Sequence, residues 1–173
     1  MNELEFEPRL RQLVDWSAAA WAALIGGTLF LLINLILTTT ALDGNPWIVI
    51  RLIASIVMGD GVLAPPATFD AGILAVALVI HYVLSFVFAA VLVFALHRWG
   101  LIVGILGGAV MGLFLFAINF LSFTYFFPQF FAMATWVMVL SHVLFGASVG
   151  GIYEALEVVV YVTTDGERVT EEA

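Results

Sequence analysis

The chain contains no cysteine and no lysine, and only 10% of its 173 residues are charged. Without cysteine there is no disulfide scaffold, no thiol chemistry, no cysteine zinc site and no thioether-linked haem. A water-soluble domain of this size carries roughly 25% charged residues to wet its surface, so this composition excludes one. Intrinsic disorder requires low hydrophobicity and high charge, the reverse of what is present. The five basic residues, all Arg, are scattered along the chain and form no patch for phosphate, which excludes nucleic acid as a partner.

What is present is oil. Hydrophobic residues make up 64% of the chain, and the mean hydropathy is +1.15. The net charge of -8 comes mainly from acids near the two ends, among them Glu3, Glu5, Glu7, Asp15, Glu154, Glu157 and Asp165. These flank the apolar body and are expected to solvate its ends. The expected organisation is an acidic N-terminal segment (1–15), a transmembrane domain (16–156) and an acidic tail (157–173). The first apolar run is long and follows acids, so it reads as a retained anchor rather than a cleaved signal peptide.

A spanning helix needs about 20 apolar residues to cross a hydrocarbon core about 30 Å thick. Stretches 16–40, 72–96, 101–123 and 131–153 meet that requirement. Backbone groups in lipid must be satisfied within the segment, so all four are expected to be helices. Segment 47–58 is too short to span. It starts after Asn45-Pro46 and stops at Gly59-Asp60-Gly61. The expected fold is therefore an all-α integral membrane protein, a four-transmembrane-helix bundle with a short re-entrant or interfacial helix between helices one and two. Arg9, Arg11, Arg98 and Arg168 fall on one side and Arg51 on the other. The positive-inside rule then puts both termini in the cytoplasm.

Helices in lipid associate where small residues let backbones approach. Gly104, Gly108 and Gly112 form one such stripe, and Gly146 and Gly150 another. These stripes are expected to make seams of the bundle, with a homo-oligomer or a larger membrane complex as further uses. Gly27 and Asn34 in the first helix, like Gly112 and Asn119 in the third, are seven residues apart, hinting at a duplicated two-helix unit.

Polar side chains inside a membrane are costly and are the natural functional candidates. They are Asn34, His81, Ser85, Asn119 and His142. His81 and His142 lie at similar depth on helices running the same way, each beside small residues. Two facing imidazoles of that kind are what a bis-histidine haem b would require. Interhelical hydrogen bonding is the plainer expectation for both histidines, and for Asn34 and Asn119. No intramembrane carboxylate orients the histidines as a catalytic base, and no hydrolytic, phosphate-cradling or dinucleotide pattern accompanies them, so no enzyme is expected. In the outward connection Arg51, Asp60 and Asp70 are the charged candidates. Arg51 is expected to pair with Asp60 or Asp70, or to hold an anionic headgroup or solute.

Asn45-Pro-Trp47, Arg51-Leu-Ile-Ala54-Ser55, Ala64-Pro-Pro-Ala-Thr-Phe69, His97-Arg-x-Gly100 and Ser141-His-Val-Leu-Phe-Gly146 carry a resemblance. Across residues 16–156 the chain resembles a group of small bacterial inner-membrane proteins often labelled sodium:proline symporters. A genuine member of that transporter family has a far longer chain with broken helices. The resemblance therefore implies an inner-membrane location and gives weight to Arg51, His81 and His142, without a reaction. Three functions are expected from these readings. The first is an accessory or structural membrane subunit, the second a haem b electron carrier and the third a small-solute or lipid-handling protein.

Overall fold

In the computed structural model, which describes residues 11–162 and 168–169, the apolar stretches fold into an all-α bundle. Helix α1 (Trp16–Ala41) begins where the Asp15 carboxylate accepts from the Ser17 and Ala18 N–H groups, satisfying donors that the first turn of a helix leaves free. Helix α3 (Ala71–Leu96) begins in the same way, with Asp70 accepting from Ile73 N–H. The chain reverses at Gly100, whose φ of 76° favours a residue without Cβ. Helix α4 (Leu101–Ala117) follows and widens into a π turn at Ile118–Ser122. After two 3₁₀ turns, Phe123–Tyr125 and Pro128–Met133, helix α5 (Trp136–Leu156) starts at its Thr135 cap. Four helical stretches are long and apolar enough to cross a membrane. Three begin within a residue of the expected position. The last begins later than expected, because hydropathy reads through Pro128–Met133 whereas Thr135 starts the helix proper.

Helix α2 (Pro46–Met58) is the short element between α1 and α3. Trp47 at its start packs on Phe69, ring centroids 5.2 Å apart. Val57 near its end shares a groove with Val79 and Ile80, more than two turns into α3. Helix α2 therefore runs parallel to α3 and dips beside it, and residues 59–70 climb back to the start of α3. Arg51 makes the return possible. Its Nη1 donates to the Val62 carbonyl at 2.7 Å, and its Nη2 to the Thr68 carbonyl at 3.0 Å. The amide of Asn45 adds a bond to Ala67 O at 2.8 Å. Irregular backbone at the membrane must find such partners within the protein.

Helix α5 is the centre of the bundle, packing mainly on α4 and α1. Gly108 faces the Gly146 carbonyl, and Gly104 faces that of Gly150. A Cβ at Gly108 would lie 2.8 Å from the Gly146 carbonyl carbon, so the two backbones touch. The glycine stripes are thus spent inside the chain, and these four glycines and Gly112, which faces the His142 carbonyl, are buried. Against the other side of α5, Ala18, Ala19, Ala22 and Ala23 of α1 pack with Leu92, Val93, Val149 and Tyr153. A second cluster joins Leu31, Ile50, Ala54, Ile73 and Ala77, tying α2 to α1 and α3. The outward surface of the helices is apolar, with Ile102, Leu106, Phe114 and Phe94 exposed, as a lipid-facing surface requires. The protein is a multi-pass membrane protein.

The ends of the chain meet. Arg11–Gln12 (β1) pairs antiparallel with Tyr161–Val162 (β2), which pairs with Arg168–Val169 (β3). Gln12 donates to His97 O at 2.8 Å, and Val158 N–H to the Asp15 carboxylate at 3.0 Å. The described parts of the two end segments thus form a small clasp at one end of the bundle. Of the acids read as solvating the ends, Glu3, Glu5, Glu7 and Asp165 lie outside the described residues.

Candidate functional site

A cavity of about 200 Å³ lies inside the bundle where the two apolar clusters meet. Phe30, Phe88 and Phe145 line it from one cluster and Ile53 of α2 from the other. Phe120, Phe123, Phe127 and Phe130 close the side formed by the π turn and the 3₁₀ turns. Helix α2 brings Val49, Leu52 and Ile56 to the same wall. Four polar side chains interrupt this apolar lining: His81, Ser85, Asn119 and His142. All four are among the residues the sequence singles out, and the fold brings them to one cavity.

His142 is held in one state. Its Nδ1 lies 2.8 Å from the Met138 carbonyl, one turn back on α5. A carbonyl only accepts, so Nδ1 carries the proton and Nε2 is an acceptor. Nε2 then takes a hydrogen from the Asn119 amide at 3.1 Å. Three phenyl rings box the imidazole, with centroids at 4.9 Å for Phe30, 5.7 Å for Phe116 and 5.8 Å for Phe120. Asn119 reaches it because α4 widens there into a π turn, which displaces its side chain from the regular helical position. The same turn stacks Phe120 on Phe116, centroids 5.0 Å apart.

His81 is held differently. Its Nε2 lies 2.8 Å from the carbonyl of Gly27 on α1, so here Nε2 is the donor. Ser85, one turn on, returns its hydroxyl to the His81 carbonyl at 2.8 Å. Gly27 is required by this approach, since a Cβ there would stand 2.6 Å from the Ser85 hydroxyl.

These residues do not fit a bis-histidine haem. Axial ligation needs a free imidazole nitrogen from each side, directed at one iron. Both Nε2 atoms are engaged, and both nitrogens of His142 are used. The Phe30 ring packs on both, with centroids 5.6 Å from His81 and 4.9 Å from His142. The cavity has room for one small ring rather than a macrocycle. The two imidazoles share one cavity, as their placement in the sequence suggests, but their nitrogens are committed to the protein's own groups.

The remaining candidates lie apart from the cavity. Asn34 is fully buried, its amide donating to the Met138 sulfur at 3.4 Å. Among the described residues its carbonyl oxygen has no partner, and neither has the Thr38 hydroxyl one turn along. Asn34 and Asn119 both reach α5, at Met138 and His142, so the contacts do not follow the duplication hinted at by their spacing. Arg51 binds backbone carbonyls and not the carboxylates expected for it: Asp70 is committed to capping α3, and Asp60 is exposed in the 3₁₀ turn Asp60–Leu63. Sequence reading missed the phenyl cage and Phe30 because Phe is unremarked in an apolar helix. It also missed Gln129, whose amide donates to Ser55 on α2 at 3.3 Å and ties the 3₁₀ turn to the cavity wall.

No family model, curated protein or solved structure matches the chain.

Proposed function

We propose that this protein is a non-enzymatic binding protein of the bacterial inner membrane that holds a membrane-dissolved apolar molecule in its aromatic cavity. The observation carrying this reading is the cavity itself, about 200 Å³ of space walled by phenyl rings and interrupted by four polar side chains. Such a site is what a lipid-handling protein needs: apolar walls for affinity and a few polar groups for orientation. The orientation proposed is the one that the Arg count gives, with both termini cytoplasmic and the α2 dip opening from the outer side. An accessory subunit that docks through its glycine stripes has less support, because those glycines are engaged between α4 and α5.

Photolabelling of the protein in lipid nanodiscs tests the proposal. The probe is a decylbenzene carrying a diazirine on its ring, and labelled residues are mapped by peptide mass spectrometry. Labelling is expected at cavity residues such as Phe120, Phe127 and Ile53, and is expected to fall in an Ile53→Trp variant that fills the space. Labels confined to lipid-facing residues such as Ile102 and Leu106 would refute the proposal.

A further inference from the structure

We infer that the bound molecule carries a flat, neutral, oxygenated ring of the benzoquinone or quinol class, held by Asn119; this rests on the cavity reading above. Three properties of the site lead to it. The first is size. A cavity of about 150 Å³ lined by apolar side chains holds one benzene, so about 200 Å³ takes one substituted ring and leaves the tail of the molecule outside. The second is charge. No Arg, Asp or Glu lines the cavity, and each histidine has a ring N–H bonded to a carbonyl. A carboxylate or phosphate head would find no counter-charge in this low dielectric, which excludes fatty acids and phospholipid heads.

The third property is the chemistry of Asn119. It lines the cavity and is half-buried. Among the described residues its amide makes one hydrogen bond, to His142 Nε2. One N–H and the carbonyl oxygen remain for a ligand. The N–H suits a quinone carbonyl, and the carbonyl oxygen suits a quinol hydroxyl. His142 acts as a positioning residue: locked by Met138 O and three phenyl rings, it holds the amide in one orientation. The phenyl walls favour a flat ring, which packs on their faces and edges, over a saturated chain.

Competition against the diazirine probe in the same nanodiscs distinguishes the outcomes, with decyl-substituted benzoquinone, decylbenzene and decanol as competitors. The quinone is expected to displace the cavity label at about three- to tenfold lower concentration than decylbenzene, the equivalent of one hydrogen bond. Decanol, with a hydroxyl and no ring, is expected to be weaker than the quinone. In an Asn119→Leu variant the quinone and decylbenzene are expected to compete equally, while the label itself stays in the cavity and so reports an intact fold. Equal competition by quinone and decylbenzene in the unaltered protein would overturn the head-group inference and leave the cavity reading standing. Equal competition by decanol and quinone would overturn the ring. Absence of the label from the cavity would overturn both.

Discussion

Asn119 on the π turn donates its amide to His142 Nε2 on α5, 3.1 Å away, across 23 positions of sequence. This bond joins the two elements that frame the cavity, and its geometry follows from the Met138 carbonyl behind the imidazole. Truncating Asn119 to Ala leaves a buried ring nitrogen without a partner, which costs about 1–3 kcal/mol. Removing both partners together, in Asn119→Ala with His142→Phe, is expected to cost less than the sum of the two single changes. A double-mutant cycle read by reversible unfolding in mixed micelles measures the coupling, and strict additivity would argue against the bond.

The α4–α5 seam is expected to be the least tolerant part of the bundle. Gly108→Ala and Gly146→Ala place a methyl group against backbone, which cannot move aside, and each is expected to destabilise by about 2 kcal/mol or more. Gly107→Ala meets only the end of the Leu96 side chain, at 3.1 Å, and is expected to cost under about 1 kcal/mol. Thermal inactivation midpoints of the three variants in one detergent test this order.

Arg51→Gln is expected to loosen the return segment 59–70 while leaving the four spans intact. The carbonyls of Val62 and Thr68 lose their donor, and hydrogen exchange across that segment is expected to accelerate with little change over residues 136–156. Exchange spread evenly over the whole chain would mean that Arg51 holds the bundle rather than the loop.

Asn34 offers the opposite sign. Among the described residues its carbonyl oxygen is buried without a partner and its amide meets only a thioether, a weak acceptor. Asn34→Leu keeps the approximate shape and removes the unmet group, so it is expected to stabilise by about 1 kcal/mol. A loss of stability would indicate that a buried water satisfies Asn34.

The clasp at the chain ends is expected to fail in acid. N–H groups of Ala18, Val158 and Ser17 hold the Asp15 carboxyl below its ordinary value of 3.8. A depressed carboxyl stabilises the fold above its unfolded value, and that contribution disappears as pH falls through the lower folded value. Protection of the Val158 amide, the slowing of its exchange relative to the intrinsic rate at each pH, is therefore expected to be constant from neutral pH down to about 5 and to fall below about 4. In Asp15→Asn the acid-dependent part is expected to vanish.

The fold class was legible because hydropathy accumulates along a segment: 16–40 and 72–96 announce helices whatever they pack against, and α1 and α3 match them to a residue. Gly104, Gly108, Gly146 and Gly150 were legible as faces, though not as partners of one another. The cavity was legible only as its polar members. His81, Ser85, Asn119 and His142 stand out in an apolar helix, whereas Phe30, Phe116 and Phe120 look like any lipid-facing Phe until the helices are assembled. The α5 boundary was misplaced because a 3₁₀ turn and a helix have the same hydropathy, and only the Thr135 cap separates them.

The apolar character, the four long apolar helices and the small-residue stripes were legible in the sequence alone, because each is a property of residues close together in the chain. The tertiary structure decided the packing of α2 beside α3, the carbonyl partners of Arg51, the contact of Phe30 with both histidines and the nitrogen each histidine donates. Those depend on groups brought together from distant positions, as Gly27 is to His81 and Asn119 to His142. A hydrogen bond is set by angstroms and angles, and neither is written in the order of the residues.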